Sequence, residues 1–446
     1  MMLWPTWIGR VAGFVRRYPG RVAVGTAGLL VLLAVAWLPG PRRLPASRAG
    51  ADRAQVPKPE PDSRAQMAAV LGERLPPPAR KSNELCGYGP VPVDEHGIAQ
   101  IPPEIRAEGD AALGRLGAEL AARPADRDRA MGLYLQMVAA GTAAADAWSS
   151  SHGECAESDE PCRSAAFQAG TAVIAPSRQA LVQLAMRTTD ADAYALATFS
   201  CFFTRDQSPP DECSLLNSGQ WARIEPDNAI PWLYAADAAA ERHDRSGVEA
   251  ALYRASKSRY SDPHHDQMAR LLASDPLGAQ PLPVQAQTNM LLIGIGAAFP
   301  TPGYNVLEKY CGSDDAADPA RLQTCGDLAA VLIEHGRSNP EVWVGNLIVK
   351  RVGGTDPRLS RLGDEADAFL WQAGQDLMVV PSHTAPDCEW MRQLRTNMTE
   401  QARSGEAARV WRELAASGLT PPQAAELLRA RIRAGAAKNV GDAKVP

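Results

Sequence analysis

The chain is 446 residues long, with 45% hydrophobic, 22% charged and 6% aromatic residues. That is enough for two or three domains and a sizeable core. Its formal net charge of −5 is unevenly spread: residues 1–53 hold eight Arg and one Asp, +7, which leaves −12 on the remainder. An acidic body excludes nucleic acid as a natural partner, because phosphates demand cationic contacts, and few aromatics amid abundant Ala argue for packed helices over sheets.

Residues 1–21 read as a basic cytoplasmic N-terminus, with Arg10, Arg16, Arg17 and Arg21 before an uncharged stretch. Residues 22–38 (VAVGTAGLLVLLAVAWL) are almost wholly apolar, and Val22, Leu29, Leu30, Leu32, Leu33 and Trp37 are its membrane-anchoring residues. The length is near the lower limit for a membrane span, and the basic flank keeps the N-terminus inside and sends the rest outward. The expectation is a transmembrane signal-anchor in a bacterial inner membrane, with the bulk of the chain in the periplasm. The alternative is a secreted protein after cleavage at the A-x-A site Ala34-Val35-Ala36. Residues 39–82 form a Pro-rich linker, a semi-rigid spacer with too little apolar surface to fold.

All eight cysteines follow the apolar segment. An even number on the exported side reads as disulfides. Pairing neighbours across turn-rich loops gives Cys155–Cys162, Cys201–Cys213 and Cys311–Cys325, and leaves Cys86–Cys388 to tie the ends of the domain. Sequence alone does not fix that connectivity.

From residue 83 to 437 the periodicity predicts an all-α domain, after an irregular start at CGYGPVPVDEHG and before a frayed tail at 438–446. Helices are expected at Pro103–Arg123, Asp126–Trp148, Ser164–Ile174, Arg178–Met186, Asp190–Phe203 and Glu212–Arg223. The stretch Trp221–Tyr260 then reads as a helix–turn–helix hairpin. Asn228 is placed to cap its first helix, which carries Trp232, Leu233, Ala236 and Ala239 on one stripe. The turn runs His243–Gly247, with Gly247 suited to positive φ, and Val248, Leu252 and Ala255 form the second stripe. After it come Pro263–Leu272, Val284–Phe299, Asn305–Cys311, Pro319–His335, Pro340–Val352, Pro357–Val379, Cys388–Arg403, Gly405–Ser417 and Pro421–Ala436. Several open with Pro in the first turn, the usual start signal. Antiparallel hairpins of this kind stack into an α-α superhelix or a compact helical domain.

Trp232, Ala236, Val248, Leu252 and Ala255, with Pro226 before them, resemble the tetratricopeptide repeat, a helical hairpin of roughly 34 residues. The match covers about one repeat around Pro226–Tyr260. The resemblance implies a protein–protein scaffold, with Trp232 and Trp221 as the residues nominated to bind a protein or peptide partner.

Chemistry-bearing patterns are sparse. His264-His265-Asp266 is the densest histidine cluster, but adjacent helix positions point apart and zinc spacing is missing, so both histidines read as solvated at a helix start. His152 and Glu154 beside Cys155 would suit a metal only if the thiol were reduced. Asp94, Glu95 and His96 read as a solvated loop, as do the acidic runs at Glu157 and Asp314-Asp315, which lack spaced calcium ligands. Glu365 and Asp367 illustrate the carboxylate pairs that a glycosidase would use, none of which stands out. There is no G-x-S-x-G elbow, and Gly294-Ile295-Gly296 lacks the third glycine of a dinucleotide site and reads as close helix packing. No catalytic, cofactor-binding or metal residues are assigned, and no cofactor, metal or nucleic acid is expected. The two readings are a membrane-anchored periplasmic helical-repeat protein, non-catalytic, that binds a protein or peptide, and alternatively a periplasmic hydrolase acting on envelope polymers through dispersed carboxylates.

Overall fold

The structure, a computed structural model, describes residues 83–93, 99–153, 159–202, 211–302, 304–312, 318–353, 356–379 and 385–442. Residues 1–21, the apolar segment 22–38, the whole linker 39–82, Cys155 and the acidic loops at Glu157 and Asp314-Asp315 lie outside those residues, as do Asp94, Glu95 and His96. Among the described residues the chain is mostly helical, with sixteen α-helices. No helix among them is long and apolar enough to cross a membrane.

A two-stranded hairpin opens the body: β1 (Glu84–Leu85) pairs antiparallel with β2 (Gly89–Pro90). The sequence reads as irregular there, because four paired residues carry no period. Helices α1 (Pro103–Ala121), α2 (Asp126–His152), α3 (Glu160–Ala185) and α4 (Ala191–Phe202) follow and pack as a bundle. α1 and α2 meet at glycines: a Cβ on Gly132 would lie 2.1 Å from the Ala121 backbone N and 2.6 Å from the Gly117 carbonyl. Only hydrogen at that position permits the approach. α3 is one helix with Pro176 inside it, although the sequence predicts a break there. Proline removes one intrahelical hydrogen bond; packing against α2 and α4 keeps the helix continuous.

The expected helix Glu212–Arg223 is a 3₁₀ turn (Asp211–Leu215) followed by α5 (Ser218–Ile224). Asn217 divides them by capping α5, its side chain accepting from the Gln220 N–H. Next comes the hairpin of α6 (Ala229–Glu241) and α7 (Arg245–Ser256). Asn228 caps α6 through the Ile230 N–H. The turn differs from expectation: His243 holds the positive φ, at 56°, Asp244 caps α7, and Gly247 sits inside α7. A Cβ on Gly247 would lie 2.3 Å from an Asp244 carboxylate oxygen, so the close cap is what requires glycine.

The chain continues through α8 (Gln267–Ala273), α9 (Leu282–Ala297), α10 (Tyr304–Gly312), α11 (Pro319–Glu334), α12 (Asn339–Val352), α13 (Pro357–Val379), α14 (Cys388–Ser404), α15 (Glu406–Ala416) and α16 (Pro421–Asp442). α8 starts four residues later than Pro263, because residues 262–266 are taken up by a polar cluster described below. Helix pairs run in series: α6 on α7, α7 on α11, α11 on α12, α12 on α13, α13 on α16. Two contacts fold the series back on itself, α9 against α1 and α14 against α8. The disulfide Cys86–Cys388, which spans 302 residues, fastens the β-hairpin to the start of α14 at the same place.

One large core runs through the array. Trp221, Tyr134, Tyr194, Phe199 and Phe369 are its largest fully buried side chains. Burying ~200 Å² of indole at ~25 cal/mol per Å² contributes about 5 kcal/mol for Trp221 alone. A Cβ on Gly296 would lie 3.3 Å from Met268, so Gly296 serves the α8–α9 contact, whereas Gly294 faces open space. Cys201–Cys213 and Cys311–Cys325 join the neighbours that spacing names, and Cys162 is also disulfide-bonded. These disulfides indicate an oxidising compartment.

Candidate functional site

The helix N-termini of the array converge on one seam, held by backbone hydrogen bonds between non-adjacent segments. Ala229 N–H donates to Tyr260, Ser261 N–H to His335, Arg337 N–H to Ser261 and Ala407 N–H to Arg337, all at 2.9–3.1 Å. Each helix start carries partial positive charge and unpaired N–H groups. The seam is accordingly rich in carboxylates: Asp192 in the first turn of α4, Glu225 before α6, Asp262 and Asp266 before α8, and Glu341 in the first turn of α12.

His264 sits at the centre. Its Nδ1 donates to Asp192 Oδ1 at 2.7 Å and its Nε2 to Glu225 Oε2 at 2.9 Å. With a carboxylate on each nitrogen, the imidazolium is the form that satisfies both. Burial opposes the charge, but hydrogen bonds to Asp192 and Glu225 raise the His264 pKa well above its ordinary value. Burial likewise pushes Asp192 upward, yet His264, Arg270 and Arg127 outweigh it and hold the carboxyl below its usual range. Arg127 Nε and Arg270 reach Asp192, each at 2.7 Å. Glu225 follows the same logic and is lowered, since Asn228 and Trp221 Nε1–H also donate to it. His264 holds φ 60°, with its own N–H bound by Asp262.

The sequence reading of this cluster needs correction. His264 is 5% exposed, not solvated; its partners lie 72 and 39 residues away along the chain, so no local pattern announces them. His265 points elsewhere, to the Pro300 carbonyl at 3.3 Å, and burial lowers it to about 4. Glu341 is fully buried and accepts from the Ser338 N–H, the Ser338 hydroxyl and the Ser261 hydroxyl. Burial pushes it up to about 8 against those donors. Chemically the seam can hold protons and fix geometry. Its carboxylates already bind cations or helix N–H groups.

Asp367, singled out with Glu365, lies in a second buried hub. It is 1% exposed and accepts from Asn346, Lys350 and Arg429 at 2.7–2.9 Å, joining α12, α13 and α16. Glu365 instead faces Arg361 and Glu334, so the two acids do not form a pair. Among the described residues no group of His, Cys, Asp or Glu is arranged to hold a metal.

One accessible feature is an open groove of about 440 Å³ where α7 ends, α11 ends and α13 begins. Arg259, Asp327, Glu334, His335 and Arg358 line it with both signs of charge. Asp327 is fixed on its floor by Lys257 at 2.9 Å and Arg358 at 3.0 Å; burial raises its pKa, and these two cations more than reverse that. Arg259, 79% exposed, has only a loose contact with Asp227 at 3.5 Å. Tyr253, 57% exposed, stands on the approach along α7, with Lys257 Nζ 5.5 Å from its ring centre.

Neither nominated tryptophan lines this groove. Trp221 is 1% exposed and is a core wedge, stacked on Tyr234. A partner does not reach this side chain, which is buried in the core. Trp232 is half-buried against the core with the Arg254 guanidinium 4.9 Å above it. Composition and spacing do not reveal the groove, since its residues come from three separate helix ends. No protein-family model, curated protein or solved structure matches the chain.

Proposed function

We propose that this chain is an exported, membrane-anchored helical-hairpin protein of the cell envelope that binds a protein or peptide partner. The observation that carries the reading is the groove at the ends of α7 and α11. It is open to solvent and lined by charges of both signs, and its cation Arg259 contacts Asp227 loosely at 3.5 Å. Such a surface suits an extended segment with charged side chains, read by salt bridges at a rim and by backbone polar groups. The abundance of internally paired acids supports binding over hydrolysis: a general acid or base must reach a substrate, and Asp192, Glu225 and Glu341 are closed in by their own partners.

Anchoring is the reading of the apolar segment 22–38, and the linker after it would hold the body off the bilayer. The test places a photo-crosslinking residue at Glu334, at the exposed edge of the groove, in the full-length chain in intact envelopes. The expected result is a discrete adduct with one envelope protein, lost when Arg259→Glu and Arg358→Glu are combined. No adduct, together with turnover of a cell-wall fragment by the purified chain, would reverse the ranking in favour of a hydrolase.

A further inference from the structure

The groove between the ends of α7 and α11 and the start of α13 has a sense of charge that a count of its residues conceals. Lys257 and Arg259 stand at the end of α7. Arg358 and Arg361 stand in the first turns of α13, three residues apart and so on one face. Between these two pairs α11 supplies Asp327 and Glu334. With the neighbouring Asp227 and Glu365 included, cations and acids number four each. The sum of charge therefore selects no ligand, and what decides is which groups face the solvent.

The four cationic side chains are 48–79% exposed, whereas those of Asp327 and Glu334 are 20% and 36% exposed. Asp227, at 54%, is not among the residues lining the groove. A ligand arriving from solvent meets guanidinium and ammonium groups first, with the acids behind them. Asp327 is well satisfied, holding Lys257 on one oxygen at 2.9 Å and Arg358 on the other at 3.0 Å. The two outer arginines are loosely paired. Arg259 lies 3.5 Å from Asp227, and Arg361 lies 3.7 Å from Glu334 and 3.8 Å from Glu365. Charge-assisted hydrogen bonds run at about 2.7–2.9 Å, and one guanidinium can take a carboxylate with two of them. A ligand carboxylate thus improves on the partners these arginines have. Ser256 and Ser258 do not compete, because their hydroxyls donate to the Tyr253 and Arg254 carbonyls.

We propose that the groove takes an acidic segment of a partner protein, one carboxylate on Arg259 and another on Arg361. The inference rests on the partner-binding reading above and names the chemistry of that partner. Lys257 and Arg358 stay on Asp327 and give the site a positive rim. The rest of the body favours a short segment over a long polyanion. Everything beyond residue 53 sums to −12, so a polyanion is attracted at the groove and repelled elsewhere. A segment of a few residues stays within the ~8 Å over which charges act at physiological salt. A concave site also suits an extended chain better than the flat headgroup plane of a bilayer. Exposed ion pairs are individually weak, so binding is of modest affinity and sensitive to salt.

The experiment is fluorescence anisotropy on the full-length protein in neutral detergent, with short labelled peptides of Glu-Ser, Gln-Ser and Lys-Ser repeats. The Glu-Ser peptide is expected to bind at roughly 100 μM, about tenfold or more tighter than the other two, and to weaken as salt rises. Arg259→Glu and Arg361→Glu each weaken it about threefold, and together about tenfold or more. Arg115→Glu, at an exposed position on α1, makes the same change in net charge and leaves binding unchanged. The proposal is overturned by equal or tighter binding of the Lys-Ser peptide, or by acidic binding indifferent to both groove variants. It is also overturned if phosphatidylglycerol vesicles alone bind through these arginines, or if no peptide binds up to about 1 mM. The crosslink from Glu334 then separates the two claims. An adduct with one envelope protein keeps partner binding and discards only the acidic segment, whereas no adduct discards both. Unchanged helical circular dichroism shows that a variant is folded; if one single variant unfolds, the other decides.

Discussion

Replacing His264 by Asn removes the one cation that bridges Asp192 and Glu225, while Asn tolerates the left-handed φ of 60° that His264 holds. Breaking a buried ion pair from one side costs about 3–5 kcal/mol. Here Asp192 keeps Arg127 and Arg270, and Glu225 keeps donors from Trp221 and Asn228. The low end applies, about 3 kcal/mol or roughly a hundredfold in the folding equilibrium. The dependence on pH gives the argument its sign. His264 is raised in the folded state, so its contribution is complete below its unfolded value and is lost as pH rises through the folded one. Asp192 and Glu225 are lowered, so theirs is present above the usual carboxylate range and is lost as pH falls. The deficit of the variant is thus largest near neutrality and shrinks in strong alkali, where the wild type has also lost the charge. Urea unfolding of the detergent-solubilised chain, followed by circular dichroism between pH 6 and 10, measures this. A deficit below about 0.5 kcal/mol at pH 7, or one that stays constant to pH 10, would refute the reasoning.

Other perturbations test separate parts of the architecture. Glu341 is raised to about 8, so the wild type loses stability as pH climbs from its unfolded value through 8. Glu341→Gln removes that slope, on the order of 3 kcal/mol at pH 7, and Glu341→Ala destabilises by about 2 kcal/mol by orphaning the Ser338 and Ser261 donors; parallel slopes for wild type and the Gln variant count against the assignment. Removing Cys86–Cys388, with its separation of 302, is expected to cost about 6 kcal/mol on chain-entropy grounds, against about 3 kcal/mol for Cys201–Cys213, with its separation of 12. Equal unfolding midpoints for the two deletions would contradict the view that the long bridge closes the array. Gly132→Ala drives a methyl into the α1 backbone and should cost about 3 kcal/mol, read as a lowered thermal midpoint.

Helix positions were legible because capping and periodicity are local. Asn228 before α6, Pro319 at the start of α11 and Pro357 at the start of α13 mark boundaries found within a residue or two. Pro176 misleads because a local rule met tertiary packing that overrides it. The four-residue β-hairpin has too few residues to show alternation. The seam was illegible for a different reason: His264 draws its meaning from Asp192 and Glu225, which only the folded chain brings near. A carboxylate at a helix start is a readable cap, but several caps meeting at one histidine are not. The groove likewise depends on where three helix ends fall, and Trp221, the most conspicuous aromatic beside the hairpin, proved to be interior.

The account rests on a helical array closed by disulfides in an oxidising compartment. Thiol titration of the full-length protein, taken from envelopes and denatured without reductant, tests that most directly. No reactive thiol before reduction and eight after it is the predicted result, in keeping with the absence of free cysteines among the described residues. Eight reactive thiols before reduction would contradict the closed array, the exported body and the partner-binding role built on them.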